Sequence, residues 1–85
     1  MDTFHDFQQR ALKNLRERHE NRITLLAESI QQEIGYVLNR IGSGNVGSAG
    51  HYAQSIATDA EEIKVRLAAL EALREAVGIF EAKED

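Results

Sequence analysis

Between Phe4 and Ile41 the stripe-forming positions recur in steps of four, four and three residues: Phe4, Gln8, Leu12, Leu15, His19, Ile23, Leu26, Ile30, Ile34, Val37 and Ile41. Only Gln8 and His19 among them are polar. Steps of three and four keep side chains on one face of an α-helix. Eleven residues in three turns is a period of about 3.67, which predicts a nearly straight apolar stripe. No proline interrupts it. Thr3 is placed to cap the start, and Asp6 sits in the first turn, where the helix dipole favours negative charge. Arg40 in the last turn and Gly42 beyond it make a C-terminal pair. The pattern therefore predicts one helix over about 3–41. Gly35, in mid-helix, costs about 1 kcal/mol of helix propensity relative to alanine.

The stretch 42–50, GSGNVGSAG, has no periodicity and four glycines, and is predicted as a loop. It contains G-x-G-x-x-G at Gly42, Gly44 and Gly47. A dinucleotide site needs a strand before those glycines and a βαβ unit around them; here a helix precedes them. A phosphate-cradling loop needs Lys after Gly47, where the chain has Ser48. No cofactor is expected. A second helix is predicted over about 51–82, with a capping box at Thr58 and Glu61. Its stripe runs through Tyr52, Ile56, Ala60, Ile63, Leu67 and Leu70, then broadens over Leu73, Val77 and Phe80.

Folding the second helix back on the first matches the two stripes: Ile41 against Tyr52, Val37 against Ile56, Ile30 against Ile63, Leu26 against Leu67, Ile23 against Leu70 and Leu12 against Phe80. The same register sets Arg22 near Glu71, Arg18 near Glu75 and Lys13 near Glu81. The fold class is all-α, a long antiparallel two-helix hairpin spanning 1–85 as one domain. Two helices alone rarely bury enough surface to be stable. A second line, Val65, Ala69, Ala72, Ala76 and Ile79, has heptad steps of four and three. It is the expected interaction surface, closing two hairpins into a homodimeric four-helix bundle.

Composition narrows the functional classes. Eighty-five residues with no cysteine exclude a disulfide framework and a thiolate metal site. The N-terminus lacks the build of a signal peptide, and no apolar run approaches the ~20 residues of a membrane span. A cytoplasmic protein with no membrane role is expected. His5, His19 and His51 lie too far apart on a hairpin to share a metal, and Asp2 with His5 lacks the inward carboxylates of a di-metal bundle. No nucleophile, base and orienting group converge, so an enzyme is not expected. His19 is expected to be a polar layer opposite Leu73 or Arg74 that sets register. Arg10, Lys13, Arg18 and Arg22 form a basic run, which would support RNA or DNA binding if it stood free. A net charge of −4 and the facing glutamates argue instead for a salt-bridged surface. The remaining classes are a protein-binding module (adaptor, chaperone or inhibitor, of phage or bacterial accessory type) and a purely structural oligomerisation unit.

Overall fold

The computed structural model describes the backbone of residues 3–82 and the side chains of residues 3–78. Two helices account for nearly all of it: α1, Thr3–Gly42, and α2, Val46–Ala82. Among the described residues there is no strand. The helices pack side by side and antiparallel into a rod of 66 × 16 × 13 Å.

The connection is three residues long, not nine. At its first half, the amide of Gly44 donates to the Ile41 carbonyl (3.0 Å) and that of Asn45 to the Arg40 carbonyl (2.8 Å). This is a Schellman closure, with Gly44 in the left-handed conformation (φ 80°) that glycine reaches without steric cost. At its second half, the Asn45 side-chain oxygen accepts from the Ser48 amide at 3.1 Å. Asn45 thus caps α2. One residue ends the first helix's closure and begins the second helix. The loop expected over 42–50 is therefore corrected: Gly42, Gly47 and Gly50 are helical. The Thr58 capping box is not used as one, since the Thr58 hydroxyl donates back to the Gln54 carbonyl inside α2 (3.1 Å).

The short turn moves the pivot of the hairpin toward the N-terminus, and with it the register. Arg22 meets Glu62, not Glu71. His19 meets Arg66, not Leu73 or Arg74. Tyr52 stacks on Tyr36, ring centroids 5.0 Å apart. The shift is about two helical turns, on the order of 10 Å. The expected contacts of Phe80 and Glu81 involve side chains outside the described residues.

The buried seam also differs from the apolar stripe. On α1 it runs in steps of seven through Leu12, His19, Leu26, Glu33 and Arg40, accompanied by Ile23, Ile30 and Val37. On α2 it runs through Ala49, Ile56, Ile63, Leu70 and Val77, interleaved with Tyr52, Asp59, Arg66 and Leu73. Steps of three and four that sum to seven are the coiled-coil repeat, a period of 3.5 rather than the expected 3.67. Ile34, Ile41 and Leu67, expected in the core, are 45 %, 57 % and 53 % exposed. Their places are taken by Glu33, Arg40 and Arg66. Only Leu26, Ala49 and Glu33 are buried among the described residues, so the core is thin.

Two expectations follow for stability. Gly44→Ala should lower the melting temperature, since the left-handed conformation costs a non-glycine residue about 1–2 kcal/mol, while Gly47→Ala in the first turns of α2 should hold or raise it. Equal effects in circular dichroism melts would contradict the turn. Leu26→Ala, at the most buried apolar position, should cost about 2–5 kcal/mol, a large part of a small domain's stability; an unchanged denaturation curve would show that Leu26 is not core.

Candidate functional site

The polar side chains of the seam fall into three clusters, each built across both helices. Nearest the turn, the Arg40 guanidinium lies over the Tyr52 ring, 6.0 Å from its centroid, and Tyr36 stacks on the same ring with an interplanar angle of 47°. Such aromatic and cation–π contacts hold a half-buried cation against apolar surface. They do not satisfy every donor, because the Arg40 Nε is buried with no hydrogen-bond partner.

The second cluster is a carboxylate pair. Glu33 is buried at 8 % exposure and accepts a hydrogen bond from the Ser29 hydroxyl at 3.1 Å. Hydrogen bonds from Ser55, then from Asp59 and Ser29, hold its carboxyl below the ordinary range despite desolvation. Asp59 is pushed the other way, by desolvation first and then by the hydrogen bond and charge of Glu33. Two carboxylates in contact cannot both ionise cheaply, so Asp59 holds its proton to higher pH than a free aspartate. When protonated, the Asp59 carboxyl donates to the Glu33 carboxylate, a charge-assisted bond inside the seam.

The third cluster links four side chains. The Glu62 carboxylate accepts from Arg22 Nε and Arg66 Nε, each at 2.9 Å. Arg66 Nη1 reaches His19 Nδ1 at 3.2 Å. Arginine can only donate, so in this contact His19 Nδ1 is the acceptor. Arg22 and Arg66 hold the Glu62 carboxyl down at about 2, and Glu62 in turn raises the pKa of Arg22. The cluster is half-exposed, so salt and solvent screen it.

Apart from the Arg40 Nε, these clusters are matched among themselves, and they lie in the helix–helix seam rather than in a cleft open to substrate. Among the described residues, no group of three or more His, Cys, Asp or Glu side chains is placed to hold a metal ion. Asp2 lies outside the described residues. Of the basic run, Arg22 is engaged with Glu62, while Arg10, Lys13 and Arg18 are exposed. Arg10 and Lys13 line a shallow hollow with Asp6 and Gln9. Among the described residues, the expected ion pair of Arg18 with Glu75 does not form. Of the expected interaction line, Val65 is 60 % exposed. Ala72 and Ala76 are exposed, Ala69 is half-buried, and the Ile79 side chain lies outside the described residues.

The periodic pattern did not single out Glu33 and Asp59, because it counts apolar positions. The available signal was the step of seven that places Glu33 and Arg40 in line with Leu26, and Asp59 and Arg66 in line with Tyr52 and Leu73.

A cleft of about 600 Å³ opens between the helices at the end away from the turn. Leu12, Leu70, Leu73 and Val77 line its base, Leu67 stands on its α2 side, and Lys13, Arg16 and Arg74 stand with Glu20 and Glu71 along its rim. No helix among the described residues is long and apolar enough to cross a membrane. No protein-family model matches the chain, and no curated protein or solved structure is significantly similar to it.

The two acidic clusters should respond to pH in opposite senses. Glu62 is depressed from 4.5 to about 2, so its contribution is present above pH 4.5 and is lost as pH falls through that interval. Glu62→Gln should therefore melt lower than the parent at pH 7, with the gap narrowing below pH 4.5. Asp59 is raised above 3.8, so its contribution is full below that pH and is lost as pH rises through the folded value. Asp59→Asn keeps a donor for Glu33 without a second charge, and should melt higher than the parent at neutral pH and converge with it in acid. Parallel melting-versus-pH curves for parent and Asp59→Asn would contradict the coupling of the Glu33 and Asp59 carboxyls.

Proposed function

We propose that this chain is a non-enzymatic helical interaction module that pairs with a second copy into a four-helix bundle and, as that bundle, binds another protein in the cytoplasm. The observation that carries this reading is the surface left uncovered. The chain exposes 6483 Å², whereas a compact monomer of its 9.5 kDa mass would expose about 5,000 Å². Phe4, Phe7, Leu25, Leu38 and Val46 are each more than half exposed. Large apolar side chains exposed in this number point to an interaction surface.

Support for a binding role over a catalytic one comes from the polar groups. The shifted carboxylates Glu33, Asp59 and Glu62 are occupied with one another and with arginines inside the seam, and are not offered to a bound substrate. Support against nucleic acid comes from the basic run. Arg22 is neutralised by Glu62, Arg16 lies 3.8 Å from Glu20, and the chain as a whole carries −4.

Sedimentation velocity over a concentration series tests the first half of the reading. A species of twice the chain mass at micromolar concentration, insensitive to salt, is expected, because apolar burial is not screened. A monomer throughout would contradict it. Affinity capture tests the second half: recovery of a stoichiometric foreign protein is expected, and recovery of the chain alone would favour a purely structural oligomerisation unit. Salt-sensitive binding to random RNA would favour the nucleic-acid reading instead.

A further inference from the structure

The cleft and the displaced isoleucines lie on one side of the hairpin. Lys13 and Glu20, on the α1 wall of the cleft, begin a line in steps of seven that continues through Ala27, Ile34 and Ile41. Leu67 and Arg74, on the α2 wall, begin a line that continues toward the turn through Ala60 and Ala53. Steps of seven stay on one flank of a coiled coil, and in an antiparallel pair equivalent flanks of the two helices share a face. The face is hollow at the open end, over Leu12, Leu70 and Val77. It is raised near the turn, where Ile34, Leu38 and Ile41 stand 45 %, 65 % and 57 % exposed on the same flank as the small side chain of Ala53.

Hollow and ridge are evenly placed. The α1 wall from Leu12 to Arg16 and the ridge from Ile34 to Ile41 each lie roughly 18 Å from Leu26, at 1.5 Å per residue. A two-fold axis at Leu26, perpendicular to the rod, would set the ridge of each copy into the cleft of the other. An isologous dimer requires such self-complementarity. The same operation brings Ala53 of α2 against the partner's Leu67, small against large, and Ala60 near its own mate.

Resting on the self-association reading above, the geometry points to this face, not the Val65–Ala69–Ala72–Ala76–Ile79 line, as the surface where a second copy docks, upside down, ridge into cleft. The area suits it. One long face of the 66 × 16 × 13 Å rod covers roughly 1,000 Å², above the ~800 Å² per partner of a standard stable interface. The residues buried would be those that the heptad seam leaves out: Ile34, Leu38, Ile41 and Leu67.

The chain has no cysteine, so single introduced cysteines report the face directly. With Ala60→Cys, a short bismaleimide should convert most of the protein to a covalent dimer, and Ala72→Cys, on the line that faces away from the cleft, should stay monomeric on a denaturing gel. Leu38→Asp should weaken dimerisation at least tenfold by sedimentation. If that variant loses helicity, the Ala60→Cys result in the folded chain still decides. Cross-linking through Ala72→Cys and not Ala60→Cys, or a sedimenting dimer that neither cysteine captures, would overturn this face while leaving self-association intact. A parent chain that sediments as monomer at every concentration would overturn both.

Discussion

Everything in this hairpin follows from the turn at Ser43–Asn45. Two long helices of ordinary propensity can slide past one another in steps of one heptad with little change in apolar contact. A three-residue connection removes that freedom. Gly44 takes the left-handed conformation, closing α1 through the Ile41 and Arg40 carbonyls. Asn45 then caps α2 with its side chain. The pivot is fixed to within a residue. Arg22 is thereby delivered to Glu62, His19 to Arg66, and Glu33 to Ser55 and Asp59.

The polar seam is costly in principle and, but for the Arg40 Nε, matched in practice. A buried carboxylate without partners is strongly unfavourable, and replacing matched buried charges by apolar groups is often neutral or stabilising. The best-attested use of such groups is to specify register, and here each polar cluster draws members from both helices. A slip of one heptad would strand Glu33 without Ser55 and Asp59, and Glu62 without Arg22. The same arrangement displaces Ile34, Ile41 and Leu67 from the seam to one flank, and so creates the uncovered apolar face. The specificity of the hairpin and the apolar exposure of its flank have a common origin.

Much of this was legible in the residues. Two long helices follow from the absence of proline and from the three–four spacing, and the first helix ends within a residue of its expected limit. What misled was apolarity itself. Counting Ile34, Ile41, Ala60 and Leu67 with the core gives a period of 3.67, because the stripe so drawn crosses from the seam at Leu12 and Leu26 to the flank at Ile34. The helix buries Glu33 and Arg40 instead, which only their partners on α2 make tolerable, and those partners are defined by register. Register depends on loop length, and Gly47 and Gly50 read as loop although α2 carries both. Asn45, with Ser48 three residues later, was the local sign of the true start. The cleft had no signature, since it depends on where Leu12 and Val77 come to lie across the pair.

The central claim is that the hairpin is half of a structure, its exposed face completed by an inverted second copy lying alongside. Small-angle X-ray scattering in dilute solution tests this most directly, because it reads mass and length together. The account predicts a scattering mass twice that of the 9.5 kDa chain, with a maximum dimension still close to the 66 Å of one hairpin. A mass of one chain with a radius of gyration near 19 Å, or a doubled mass with a nearly doubled length, would contradict it.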